Sequence, residues 1–546
     1  MTARMCSSCH SAEGPPAIAF VFWPFGRGGP VGWASRVLVM PTARMAALVA
    51  AGLTVSLCIP TARATAAGAD RSPAPALDRY YDQRPAWHRC GIKGEYPADL
   101  RCATLKVPLD YTRPSGPTLR MEISRLRTSV PGKRRGVLLS NPGGPGAGGL
   151  GNPSAYKEIM PKSVLDRYDL IGFDPRGTGA SSPLNCGLTT NETDWPRVYR
   201  PASFRQTTDF ARGFAAKCVA RDRTRLPHLT TRNTARDMDV IRAVLGEKRI
   251  SYMGVSYGTY LGAVFTQMFP ARSDRVVLDS SVDPNRFGRG VYQAMAEGVE
   301  PAFRDWTRLV ARRDSTYHLG GTPAKVRAAF FRLLARADRT PLKYNGSDPD
   351  FEDRAVTGAD IRESLRPMFF YDPYQAARDV VGLRKAPATR PDPRPSDEPA
   401  DPFDANFQAL HWAVVCADNS ASWPSDPSRY RHDALRDGAR LPLYGDFTSN
   451  ITPCAFWPRG AEPATRVNNT VGSLILQNQW DSQTPAASGR AMHRALRGSR
   501  LVQVQGGRDH GVYGIPSTPA CATNTVNTYL VTGRLPSGDI TCHAQP

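Results

Sequence analysis

Gly254-Val255-Ser256-Tyr257-Gly258 follows a β-branched and aromatic run, Arg249-Ile250-Ser251-Tyr252-Met253, and leads into Thr259-Tyr260-Leu261-Gly262-Ala263-Val264-Phe265. The first run predicts a strand and the last a helix, so the five residues between them form a sharp strand-to-helix turn. Small residues on either side relieve the crowding of such a turn, which holds the serine hydroxyl at the top of a sheet beside a helix N-terminus. Ser256 is therefore the candidate nucleophile. The five-residue motif arises readily by chance in a chain with 47 glycines, and the flanking strand and helix patterns give it weight.

A serine hydroxyl is a weak nucleophile near neutral pH and needs a base to take its proton and an acid to orient that base. For a nucleophile on this kind of turn the chain order is Ser, then Asp or Glu, then His, each partner on a loop after a strand. Gly472-Ser473-Leu474-Ile475-Leu476-Gln477 predicts a buried strand, and the loop that follows, Asn478 to Pro485, contains Asp481, the candidate acid. A helical stretch over 485–496 precedes a last strand, Arg500-Leu501-Val502-Gln503-Val504, and the loop Gly506-Gly507-Arg508-Asp509-His510-Gly511 then offers His510 as the base. Among nine histidines, His493 falls mid-helix and His543 sits beside Cys542 near the tail, so neither has that setting. Asp509 adjoins His510, but neighbouring side chains on a loop diverge, which disfavours it as the orienting acid.

Negative charge developing on a carbonyl oxygen calls for backbone N–H donors. One is the Tyr257 amide, directly after the nucleophile. The other is expected from the loop Asn141-Pro142-Gly143-Gly144-Pro145-Gly146-Ala147-Gly148-Gly149 after the strand Gly136-Val137-Leu138-Leu139-Ser140, with Gly144 as the donor. Gly144-x-Gly146-x-x-Gly149 also satisfies the dinucleotide fingerprint, with Asp166 and Asp169 about twenty residues on. Pro145 inside it, the lack of a helix start after it and the signs of export oppose a nicotinamide or flavin, so no cofactor is expected.

These pieces, together with Gly172-Phe173-Asp174-Pro175-Arg176-Gly177-Thr178-Gly179-Ala180-Ser181 and Asp481-Ser482-Gln483-Thr484-Pro485, resemble α/β-hydrolases of the prolyl aminopeptidase and tripeptidyl aminopeptidase group, the secreted actinobacterial type. The resemblance covers most of the chain from about Trp87 to Cys542 and rests on five motifs in the right order. It implies hydrolysis of peptides from a free N-terminus, with release of tripeptides, through an acyl-enzyme on Ser256.

A chain of 546 residues exceeds one ordinary domain, so a core with an inserted lid, or two domains, is expected. The formal net charge of +21 is carried mostly by arginines interspersed with acids. With no zinc-finger or aromatic-rich RNA motif, a nucleic-acid partner is not expected. Residues 40–66 read as a secretion signal: a positive start at Met40-Pro41-Thr42-Ala43-Arg44, an apolar core over 45–59 and a small-residue cleavage site at Ala64-Thr65-Ala66. That apolar run is too short for a stable membrane span. Residues 1–39 then read as an upstream segment from a start codon placed too early. Leu57 is a poor residue before a lipidated cysteine, which disfavours an anchor at Cys58.

Of eleven cysteines, Cys6, Cys9 and Cys58 precede the cleavage site, leaving Cys90, Cys102, Cys186, Cys218, Cys416, Cys454, Cys521 and Cys542. Many connectivities are open to them. Pairing neighbours along the chain gives 90 with 102, 186 with 218, 416 with 454 and 521 with 542, local bridges suited to an oxidising, extracellular compartment. No His/Cys/Asp cluster has metal-ligand spacing, so no metal is expected.

Residues 67–86 are polar and read as a linker or propeptide. Alternating strand and helix patterns over 87–286 and 455–546 predict a mostly parallel α/β sheet with helices on both faces. Over 287–454 buried strand runs give way to apolar helical stripes at 292–312, 323–336, 358–368, 374–383 and 407–416, which predict a helical cap inserted between the sixth and seventh core strands. The Pro-rich stretch 386–403 predicts an exposed loop. An exopeptidase acting on peptides or proteins with free N-termini also needs a negative group for the substrate ammonium, and Asp418 is the candidate, with Glu297 and Glu300 behind it. A secreted carboxylesterase or lipase with the same triad is the alternative, and a silent binding protein on this fold is disfavoured by the complete Ser, Asp and His set.

Overall fold

The computed structural model describes residues 77–91, 96–193, 198–344, 355–390 and 398–544. The upstream segment, the secretion signal, the first part of the expected linker and the middle of the Pro-rich stretch lie outside the described residues.

The described residues form twelve strands: β1 (His88–Arg89), β2 (Arg101–Pro108), β3 (Thr118–Leu126), β4 (Gly136–Asn141), β5 (Tyr168–Phe173), β6 (Ile250–Val255), β7 (Ser273–Asp279), β8 (Leu342–Lys343), β9 (Ala355–Val356), β10 (Ser473–Asn478), β11 (Arg500–Gln505) and β12 (Ile540–His543). Ten of them make one sheet in the order β1-β2-β3-β5-β4-β6-β7-β10-β11-β12. β1, β2, β3 and β5 pair antiparallel in succession, and every pairing from β5 to β12 is parallel. Every residue of β4, β5, β6 and β10 is buried, as a parallel sheet covered on both faces requires.

The longer helices are α1 (Asn152–Ile159), α2 (Phe204–Asp222), α3 (Thr231–Val244), α4 (Tyr257–Met268), α5 (Arg289–Ala311), α6 (Pro323–Arg339), α7 (Gly358–Tyr371), α8 (Pro373–Lys385), α9 (Pro402–Asp418), α10 (Pro427–Arg440), α11 (Ala486–Ala495) and α12 (Ala520–Thr532). Strand residues alternate between the two faces. Leu139, Ile171, Tyr252 and Leu278 pack with α3 and α4, whereas Leu138, Leu170, Met253 and Val277 pack with α1 and α12.

Helices α5 to α10 lie between β7 and β10 in the chain, and the two-residue strands β8 and β9 are the only paired strands among the described residues of that block. Helices α5 to α8 have their own core, centred on the mutually packed rings of Phe303, Trp306, Phe330 and Phe369. Helix α9 behaves differently from the expected cap helix. Its residues Ala409, Leu410, Trp412 and Ala413 join the core of the sheet, because the segment is apolar on nearly all sides and is buried from Gln408 to Asp418.

The structure bridges Cys90 with Cys102, Cys186 with Cys218, Cys416 with Cys454 and Cys521 with Cys542. The third ties the C-terminal end of α9 to the chain returning to the sheet. Residues 77–86, read above as part of a linker, are packed on the core: Tyr80 is 2% exposed and donates to the Pro114 carbonyl at 2.6 Å, while Tyr81 donates to Asp239 at 3.0 Å. Aromatic anchors within a polar run explain the difference. Among the described residues no helix is long and apolar enough to cross a membrane.

Candidate active site

β4, β5 and β6 place the chain reversal of the sheet between β4 and β6, the position where open α/β sheets form a crevice beyond the strand C-termini. Ser256 follows β6 there, with φ 58° and ψ −124°, a backbone conformation rare for a residue with a side chain. The turn is tight: a Cβ on Gly254 would lie 2.3 Å from the Gly258 carbonyl oxygen, and a Cβ on Gly258 would lie 2.6 Å from that of Asn141. Ser256 is only partly buried between fully buried neighbours. Its N–H donates to the Asp279 carbonyl at 3.0 Å, and its carbonyl accepts from the Thr259 hydroxyl at 2.6 Å.

The glycine-rich loop after β4 passes directly over this elbow. A Cβ on Gly143, whose φ is +112°, would stand 2.9 Å from the Ser256 Cβ and 3.3 Å from the Tyr257 nitrogen. The Gly143 N–H is taken by the Asn141 side chain at 3.1 Å. The amides of Gly144 and Tyr257 have no acceptor among the described residues, Tyr257 because it opens α4. Asp174 braces the loop by accepting from Gly149 N–H and Ala180 N–H, both at 2.9 Å. Gly143→Ala is expected to lower kcat by roughly 10- to 100-fold with the fold retained, because the displaced loop carries the candidate oxyanion donor. Ester turnover and circular dichroism measured together check it.

Asp481 and His510, distant in sequence, meet at the ends of β10 and β11. The Asp481 Oδ2 lies 2.8 Å from His510 Nδ1, and both side chains are almost wholly buried. Asp481 Oδ2 also accepts from the Thr484 hydroxyl at 2.9 Å, and Oδ1 accepts from the amides of Gln483 at 2.8 Å and Thr484 at 3.1 Å. A carboxylate ringed by donors is an acceptor only, so His510 Nδ1 carries the proton and Nε2 is the basic nitrogen. The carboxylate of Asp509 is turned away to the Ser517 hydroxyl at 2.7 Å. The base loop is fixed by Asn478 at the end of β10, whose amide donates to the carbonyls of Arg508, Asp509 and Gly511.

The helical block touches all three loops. From α9, His411 Nδ1 lies 3.3 Å from the Pro145 carbonyl of the glycine loop, and His411 Nε2 meets the Tyr292 hydroxyl. From α7, Arg366 donates to the Gln483 side chain of the acid loop at 2.7 Å, and Tyr371 lies beside the His510 backbone. Arg508 of the base loop pairs with Asp305 of α5 and donates to the Phe369 carbonyl at 3.2 Å. Thr484 and Asn478 fall inside the acid loop read from the sequence but were given no role there, and His411, Arg366 and Tyr371 carry no motif of their own.

Asp418 is placed differently from the expectation. It is 6% exposed and faces the start of α3, where Oδ1 accepts from Thr231 N–H at 2.7 Å and Oδ2 from the Thr231 hydroxyl. Burial pushes its carboxyl up to about 7, against those two hydrogen bonds. Its work is internal: the Thr231 hydroxyl that it holds also meets the Tyr257 hydroxyl at 2.7 Å. Glu300 is likewise occupied by the Leu443 amide at 2.9 Å, and Glu297 by Arg286 at 2.8 Å.

A sheet with helices on both faces, carrying a strained serine on a strand-to-helix elbow, defines a serine hydrolase of the α/β-hydrolase type. Residues 136–375 match the family described as "alpha/beta hydrolase fold" and residues 441–542 match "TAP-like protein". The chain is 34% identical to a tripeptidyl aminopeptidase of Streptomyces lividans, over 89% of its own length and 90% of that protein's. It is 28% identical to the serine protease Hip1 of Mycobacterium tuberculosis, over 92% of its length and 98% of the relative's. It is also 30% identical to carboxylesterase B of that species, over 84% and 89% of the two chains. The chain belongs to the tripeptidyl aminopeptidase group of α/β-hydrolases, and it is a serine peptidase of that type.

Proposed function

We infer that this protein is a secreted exopeptidase that hydrolyses peptides near a free N-terminus, releasing tripeptides, through a triad of Ser256, His510 and Asp481. The observation that carries the reading is the 2.8 Å contact between Asp481 Oδ2 and His510 Nδ1 at the same sheet edge as the Ser256 elbow. His510 Nε2 takes the Ser256 proton as the hydroxyl oxygen attacks the scissile carbonyl, and the Gly144 and Tyr257 amides hold the oxyanion. Collapse of the tetrahedral intermediate expels the leaving amine, which receives the proton from His510. Water then attacks the acyl-enzyme with the same base and releases the N-terminal fragment. Asp481 fixes the tautomer throughout. Four disulfides and the signal-like pattern over 40–66 support export.

Unblocked tripeptidyl p-nitroanilides are expected to turn over roughly 100-fold or more faster than their N-acetylated counterparts, the discrimination required of an enzyme that reads a free N-terminus. Equal rates on the two would remove the N-terminal specificity. The carboxylesterase relative keeps a second reading, an acyl esterase using the same three residues. Efficient hydrolysis of short-chain acyl esters with no turnover of free tripeptidyl amides would establish it.

A further inference from the structure

Asp279 closes β7, the strand between the one that bears Ser256 and the one that leads to Asp481. The chemistry just set out gives it no task. Its side chain is 1% exposed, and its two carboxylate oxygens both accept from Val512 N–H at 2.9 Å, while Oδ2 also accepts from Tyr513 N–H at 2.8 Å. The next residue, Ser280, has φ 55° and offers its hydroxyl oxygen to Gly511 N–H at 2.8 Å. Three consecutive amides after His510 are therefore gripped by two adjacent residues. On its other side, the Asp279 carbonyl accepts the Ser256 N–H at 3.0 Å.

We propose that Asp279, aided by Ser280, is a positioning residue that holds the base loop in register with the nucleophile elbow across β7. The proposal rests on the triad reading above. Geometry gives its reason: Ser256 and His510 sit on strands that are not neighbours, and Asp279 is the residue bonded to both of their loops. A shift of about 1 Å between reacting groups is enough to cost on the order of 100-fold in rate.

Burial pushes the Asp279 carboxyl up to about 6, against the amides of Val512 and Tyr513 and the nearby His510, and with Asp481 adding to the rise. Tyr156 of α1 lies near enough to feel its charge. A charged carboxylate accepts N–H bonds more strongly than a neutral one. The grip on the base loop therefore weakens as pH falls through about 6. Protonation of Asp279 then contributes to the acid limb of kcat/KM.

The test compares the purified full chain with Asp279→Asn on a free tripeptidyl p-nitroanilide and on p-nitrophenyl acetate. For Asp279→Asn, kcat is expected to fall roughly 10- to 100-fold on both substrates, with KM within about twofold. The acid limb is expected to lose steepness, because the Asp279 protonation no longer contributes. A parent-like kcat, or a fall in kcat with the acid limb unchanged in steepness, overturns the proposal. Where Asp279→Asn fails to fold, Ser280→Ala decides: a kcat lowered by about 3- to 10-fold at constant KM supports the role, and a parent-like kcat overturns it. Because the ester carries no amine, loss on both substrates supports positioning even where the free-N-terminus specificity fails.

Discussion

Under the proposed triad, Ser256→Ala is expected to leave a folded protein whose kcat on tripeptidyl amides lies roughly 10^4- to 10^6-fold below the parent. The residual rate comes from substrate binding and the oxyanion donors, which the substitution leaves in place. Labelling by a fluorophosphonate, read by intact mass, disappears in the same variant, and appreciable turnover or labelling there would defeat the nucleophile assignment. The elbow makes a second comparison informative. Alanine at 256 inherits the φ of 58° that the turn imposes, whereas Ser256→Gly relieves it. The glycine variant is therefore expected to be as inactive as the alanine variant but more resistant to urea, by about 1 kcal/mol or more.

Asp237→Ala is expected to lower the unfolding free energy by about 3–5 kcal/mol, the cost of leaving one member of a buried ion pair uncompensated. Arg176 is 1% exposed and forms a two-pronged pair with Asp237 at 2.7 and 2.6 Å. Its remaining donors go to the carbonyls of Leu109, His228 and Pro108, and Asp237 takes a further bond from Tyr111 at 2.7 Å. Removing the carboxylate strands a guanidinium that has no route to water. Asp237→Asn keeps the shape and one acceptor, and should cost less. Urea midpoints of the three proteins measure the effect, and a shift under about 1 kcal/mol for the alanine variant would contradict the account.

Motifs with a local grammar were legible in the chain. The elbow, the acid loop and the base loop each follow a strand rich in apolar residues, and that pairing of strand with loop points to Ser256, Asp481 and His510 without any knowledge of their neighbours. What the chain hides is everything made by distant polar contacts. Arg176 stands inside a recognisable motif, yet nothing local says that its partner is Asp237, on a helix beyond the next crossover. Helix α10 escaped prediction for a related reason: its inward residues are Tyr430, Asp433, Ala434 and Asp437, with Asp433 paired to Arg289 at 2.7 Å, so no apolar stripe marks it. Helix α9 erred in the opposite sense. It was legible as a helix, but its all-round apolar surface gave no direction, and it carried Asp418 into the core, where Thr231 takes both carboxylate oxygens.

The helical block ties to the glycine loop through His411, to the acid loop through Arg366 and to the base loop through Arg508. Moving those helices would pull at all three loops in one motion. Substitutions that loosen the block are therefore expected to slow turnover without altering Ser256, Asp481 or His510.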